Sequence, residues 1–134
     1  MNFQVYLAVA AGGALGTVSR YFLSGVVANA FGATFPWGTL IINVTGSFVI
    51  GFFGILTGPD GRYLVGSVTR QFVMIGFCGG YTTFSSFSLQ TLSLLRDGEW
   101  FSAGGNIVGS VVLCLLSVWL GAAMAGEINQ LKGA

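Results

Sequence analysis

Four long apolar stretches constrain this protein more than any other feature. They cover about 3–28, 36–58, 71–95 and 100–125, each near the roughly 20 residues a helix needs to cross a hydrocarbon core. The connections between them are short and carry most of the charge. Only 7% of the 134 residues are charged and 54% are hydrophobic, whereas a soluble domain carries about 25% charged residues. Such a sequence cannot cover a water-facing surface. Inside a bilayer every backbone polar group must be satisfied within the protein, so the expectation is an all-α membrane protein, one domain over 1–134, with four transmembrane helices. The start, MNFQVYLAVAAGG, lacks the basic region of a secretory signal and reads as the beginning of the first span.

Within the first span Ala8, Gly12 and Gly16 recur at intervals of four, the small-residue spacing that lets helix backbones approach closely. Arg20 is its only charge, and two readings stay open. It snorkels to a helix end, or it faces a water-filled vestibule and attracts anions. The second span follows Pro36 and opens with Trp37, an interfacial anchor. Thr39, Asn43 and Ser47 lie four apart and form a polar stripe, and Gly46, Gly51 and Gly54 offer further close-packing positions. Asn43 either glues helices together by a hydrogen bond or turns its NH₂ group toward an anion. In the fourth span Asn106, Ser110 and Cys114 make a second stripe of the same period. Cys78 and Cys114 sit in apolar surroundings without metal-ligand spacing and read as small core residues.

The third span contains GGYTTFSSFS, residues 79–88. Glycines and hydroxyls at mid-membrane read as a helix broken at its centre, with Gly76, Gly79 and Gly80 inviting the bend. Broken helices survive at that depth only where the freed backbone meets protein, ions or water.

The charges set orientation weakly. With the N-terminus inside, Arg62, Arg70 and Lys132 would be cytoplasmic, and Arg96 would lie opposite, with Arg20 toward the same end. A protein with so little bias is able to insert both ways, and two opposed copies can pair about a twofold axis in the membrane plane.

The chemistry is bounded by what is missing. There is no histidine, and Asp60, Asp97, Glu99 and Glu127 all fall in loops or the tail. An enzyme would lack a base, and a proton-coupled carrier would lack a buried carboxylate. A net charge of +1 argues against nucleic acid and against polybasic lipid attachment. Passive permeation or a structural role is left. The donors available to a permeant are the amides of Asn43 and Asn106 and the hydroxyls of Thr39, Ser47, Thr82, Thr83, Ser85, Ser86, Ser88 and Ser110. Phe84 and Phe87 share a helix face. They are either packing residues, or rings whose positive edges favour an anion and whose negative faces favour a cation.

Three motifs then stand together: GxxGxxxRY (Gly13, Gly16, Arg20, Tyr21), PWGTLxxNxxGSF in the second span, and GGxTTFSSFS in the third. With them the sequence closely resembles the Fluc (CrcB) family of bacterial fluoride channels, over essentially its whole length. The resemblance implies an antiparallel, dual-topology homodimer in the bacterial inner membrane. It would have two pores, each passing fluoride out of the cytoplasm down its gradient. It also implies a structural Na⁺ on the dimer axis, held by backbone carbonyls that match Gly79 and Thr82 of each subunit. Phe84 and Phe87 match the phenylalanines whose ring edges face the fluoride path, Asn43 the pore asparagine, Arg20 the vestibule arginine, and Ser110 a polar-track serine. Thr39, Thr83 and Asn106 join this pathway as donors. Asn106 and Cys114 stand where some relatives have Tyr and Ser, and Gln90 replaces a glutamate of some members.

Two rival readings fare worse. A small dual-topology drug or cation exporter would need a glutamate in the first span, and residues 3–28 have none. A holin-like assembly protein would have no use for the hydroxyl-rich break.

Overall fold

A computed structural model describes residues 2–131. Lys132, one of the charges that bear on orientation, lies outside the described residues. The elements in order are α1 (Phe3–Phe31), α2 (Trp37–Leu56), α3 (Ser67–Gln71), a π-helical segment (Phe72–Cys78), α4 (Gly79–Tyr81), α5 (Phe84–Arg96) and α6 (Trp100–Gln130). No strand occurs among the described residues.

Three helical runs are long and apolar enough to cross a membrane: α2, the composite Ser67–Arg96 and α6. Helix α1 has the length, at 29 residues. Its Gly12, Gly13, Gly16, Thr17, Ser19 and Arg20 dilute its apolarity, and it does not join those three. The protein is a multi-pass membrane protein, and its surface agrees. Phe101 is 99% exposed, Tyr21 84% and Leu64 79%, while the interior includes polar Thr39, Thr57, Thr91, Asn106 and Ser110. In lipid an apolar exterior needs no cover.

Because lipid tails are as apolar as the side chains, close backbone packing supplies the cohesion between helices. Two glycine seams provide it. On the first, α1 lies against the third span. A Cβ on Gly12 would overlap Phe72 O, one on Gly16 would overlap Phe77 O, and one on Gly80 would run into Gly13 O. A Cβ on Gly76 would lie 2.9 Å from Val9 O. On the second, α2 and α6 meet where Gly51 faces Val118 O and Gly121 faces Phe48 O. Ser117 pins the same pair by donating to Val44 O at 2.7 Å. The spacing of Gly12 and Gly16 thus does what small-residue periodicity suggests. Gly54 meets only the flexible end of Met74.

The break differs from the sequence expectation in its cause. Gly79 is helical, with φ −64° and ψ −37°, and positive φ among the described glycines occurs only at Gly32 and Gly98, in the turns after α1 and α5. The helix is interrupted instead by Thr82 (φ −83°, ψ 158°) and Thr83 (φ −154°, ψ 116°), both extended. Gly76 and Gly80 serve the seam with α1 rather than the bend. The π-helical segment before the break has no counterpart in the sequence expectation. Its wide turns face the glycine seam of α1, where Gly12 and Gly16 meet Phe72 O and Phe77 O.

Side chains tie off the polar end of the bundle. Arg70 donates to Gly54 O and Thr57 Oγ1 near the end of α2, and Asn129 accepts from Arg62 N while donating to Ile55 O.

If backbone contact holds these seams, Gly12→Ala and Gly121→Ala each cost about 1–3 kcal/mol. Gly25→Ala, with nothing within 4 Å of its added methyl, is neutral or slightly favourable through helix propensity. Thermal unfolding of the three variants in detergent reads the contrast.

Candidate functional site

The break leaves helix ends to satisfy, since the last carbonyls of one half and the first N–H groups of the next lack helical partners. Cys78 O accepts both the Thr82 N–H (2.9 Å) and the Thr82 hydroxyl (2.8 Å). Gly80 O accepts Arg20 Nε at 3.0 Å and the Thr17 hydroxyl at 3.4 Å. On the far side Thr83 caps α5, its Oγ1 accepting from Ser86 N at 3.2 Å, the usual task of a threonine at that position. From α2, Asn43 reaches the Thr83 backbone with both ends of its amide, accepting from N at 2.8 Å and donating to O at 3.0 Å. The carbonyls of Gly79 and Thr82 have no side-chain donor among the described residues.

Helix α2 is pressed onto the break. A Cβ on Gly46 would overlap Thr82 Cγ2. The Tyr81 hydroxyl lies 2.8 Å from Thr45 Oγ1, and its ring stacks on Phe77 at 5.7 Å.

Beside the break lies a cavity of about 640 Å³. Helix α2 contributes Asn43, Gly46, Ser47 and Ile50, and α6 contributes Ser110, Val111, Cys114 and Leu115. The broken span supplies Met74, Ile75, Cys78, Gly79, Thr82, Thr83, Phe84 and Phe87. The two polar stripes therefore meet across one space. No charged side chain lines it among the described residues. The rings of Phe84 and Phe87 are 5.3 Å apart and tilted by 45°. Phe84 is 79% exposed, so its ring projects from the cavity's rim rather than filling the core.

Asn43, Thr83, Phe84, Phe87, Ser110, Gly79 and Thr82 are thus gathered in one place. The other three residues singled out from the sequence are elsewhere. Arg20 approaches the break from the α1 side and holds Gly80 O. Asn106, 2% exposed, donates to Thr91 Oγ1 at 2.9 Å and accepts from the Ser110 hydroxyl at 3.3 Å. It joins α6 to α5 beside the cavity. Thr39 lines a second space of about 330 Å³ with Ser24, Gln90, Ser93 and Asp97. Gln90 Oε1 is buried there without a hydrogen-bond partner among the described residues.

Known proteins share this sequence pattern. The family model described as CrcB-like protein, Camphor Resistance (CrcB), matches residues 7–122. The chain belongs to the CrcB family. Among its curated relatives is a fluoride-specific ion channel FluC of Opitutus terrae, 65% identical over 98% of this sequence and 99% of the relative. Channels of the same name from Methylocella silvestris and Rhodospirillum rubrum are 62% and 61% identical, covering 96% and 95% of this sequence and 98% of each relative.

Two features of the CrcB site are not predicted from the sequence. Thr91 looks there like one more helical hydroxyl, yet it relays Asn106 to the backbone by donating to Phe87 O at 2.8 Å. A signal exists, because Thr91 sits one turn beyond Phe87 on the cavity-forming helix. The Arg20–Gly80 bond has none, since it depends on how α1 crosses the third span. The Thr91 relay is testable. Thr91→Val keeps the shape but orphans the buried Asn106 amide, which costs about 1–3 kcal/mol, whereas Thr91→Ser retains most of the stability in the same thermal unfolding assay.

Proposed function

We propose that this protein is a passive, fluoride-selective channel of a bacterial inner membrane, carrying fluoride out of the cytoplasm down its electrochemical gradient. It is not an enzyme: its relatives are named as channels, and the family relation carries that reading here. The observation that supports it most is the cavity beside the break, where an amide, hydroxyls and a phenylalanine pair converge, with no charged group lining it among the described residues. Fluoride is small and strongly hydrated. A dry path must replace its water with donors. Asn43 keeps one amide proton free of partners among the described residues, while the Thr83 and Ser110 hydroxyls donate to Ser86 and Asn106 and must turn from them to serve an anion. Ring edges of Phe84 and Phe87 add weakly positive C–H groups. An ionised side chain reaching into the path would hold the ion tightly, so a lining of neutral side chains suits throughput.

The finer architecture is part of the same proposal. Each subunit spans the membrane four times, α1 being the fourth span beside the three more apolar runs, and two subunits pair antiparallel in dual topology with one pore each. The outward-standing Phe84 ring and the exposed Gly79, with open space around it, favour a partner surface there. Thr39 and Asn106, each one turn before a lining residue on α2 and α6, extend the donor path toward the face where these two helices begin, and Arg20 supplies positive potential from α1.

A structural Na⁺ fits the carbonyls of Gly79 and Thr82. Neighbouring carbonyls at the break are claimed by Arg20, Thr17, Asn43 and Thr82 itself, while these two have no side-chain donor among the described residues. Carbonyl oxygens suit a hard cation, and such an ion would offset the exposed dipoles of the broken helix. Arg20, Thr17 and Asn43 then serve to keep the other carbonyls out of that role.

Purified protein in liposomes should release fluoride rapidly and retain chloride. Equal efflux of both ions, or of neither, contradicts the channel reading. Phe84→Ile and Phe87→Ile should each cut fluoride efflux by about tenfold or more, a barrier change of about 1.4 kcal/mol, with assembly unchanged by size-exclusion chromatography. Wild-type flux in both variants would return the rings to packing.

A further inference from the structure

Asn43 is gripped at both ends of its amide by one residue. Thr83 has extended backbone, φ −154° and ψ 116°, so its own N–H and carbonyl point the same way. The amide matches both, with Thr83 N donating to Oδ1 at 2.8 Å and Nδ2 donating to Thr83 O at 3.0 Å. A free carboxamide can turn end for end with almost no change of shape, exchanging an acceptor for donors. This one cannot. A backbone N–H only donates and a backbone carbonyl only accepts, so the turned amide would set donor against donor and acceptor against acceptor. Its orientation follows from its partners alone.

The grip also decides what remains. The amide proton lying on the same side as Oδ1 is taken by Thr83 O, and planarity directs the second proton away from Thr83. Asn43 lines the cavity, and the free hydrogen-bonding proton it has left is this one. We propose that the backbone of Thr83 is the specificity-determining partner of Asn43, fixing the amide donor-outward so that this point of the wall accepts an anion; this rests on reading the cavity as an anion path. Released from Thr83, the amide would present its oxygen part of the time and repel the ion it otherwise binds. The Thr83 side chain takes no part in this, since its hydroxyl is engaged with Ser86.

The test changes one backbone atom. Thr83 is replaced by its α-hydroxy acid analogue, which puts an ester oxygen where the N–H was and keeps every side chain. Oδ1 then faces an oxygen and the grip opens. Fluoride efflux from liposomes should fall about tenfold or more, the scale of one lost hydrogen bond to an ion. Asn43→Ala in the ester background should lose less than about twofold further, because the two changes remove one unit. Unchanged efflux from the ester protein, beside a conducting wild type, overturns the proposal and leaves the channel reading standing. A wild type that releases no fluoride takes down the channel reading itself. A measurement on the unaltered protein guards against an ester variant that fails to fold. With asparagine ¹⁵N-labelled, and the Asn43 side-chain signals assigned by their loss in Asn43→Asp, adding fluoride should move one of the two amide protons. Equal movement of both protons, or movement of neither, contradicts a locked donor.

Discussion

An interrupted helix inside a membrane is the constraint on which this structure turns. Water is not there to satisfy freed N–H and carbonyl groups, and each one left bare costs several kcal/mol. The residues around Thr82 and Thr83 answer that demand one by one. Thr82 folds its hydroxyl back onto Cys78 O, Thr83 caps the next helix, Asn43 bridges Thr83, and Arg20 with Thr17 covers Gly80 O. These partners come from three different spans. The break is therefore a property of the bundle rather than of its own sequence.

For those side chains to reach, the helices must stand close together. Arginine is long, but Asn43 and Thr17 are short, and only backbone-to-backbone packing brings them within bonding distance. The glycine seams supply that closeness. Gly80 illustrates the coupling, because its missing side chain admits Gly13 O while its own carbonyl receives Arg20 and Thr17. Packing and polar satisfaction meet at one residue, so a larger side chain there would disturb both.

Much of this is legible in the sequence, and the remainder shows where legibility stops. Helix positions follow from hydropathy, because a bilayer imposes a minimum apolar length on every span. The two polar stripes follow from a spacing of four, and they do meet across the cavity through Asn43, Ser47, Ser110 and Cys114. The cause of the break is not legible in the same way. Glycines at 79 and 80 suggest unusual dihedrals, yet both positions precede the bend, and threonines in ordinary extended backbone make it. Glycine permits close approach as well as strained conformation, and composition cannot say which is in use. The reach of Arg20 and the π-helical turns depend on interhelical crossing, which no local pattern encodes. Membership in the CrcB family is visible from three short motifs, GGxTTFSSFS above all, because the order of its residues has no generic membrane explanation.

The break also sorts electrical polarity. Aligned peptide dipoles leave a helix partially negative at its C-terminus and partially positive at its N-terminus. A continuous helix keeps these ends at the two faces of the membrane. Interrupted at Thr82 and Thr83, the third span brings both ends to the middle, separated by those two residues. The carbonyl of Gly79 belongs to the negative end, while the first turn of α5, with Phe84 and Phe87, belongs to the positive one. Partial charges of both signs then stand within one short stretch, with no ionised side chain in the cavity wall among the described residues. That economy fits a protein with 5 basic and 4 acidic residues in all. Fixed charges at this depth would be costly to bury and would hold a permeant too tightly. Oriented backbone dipoles place partial charge at this depth without the binding strength of a full one.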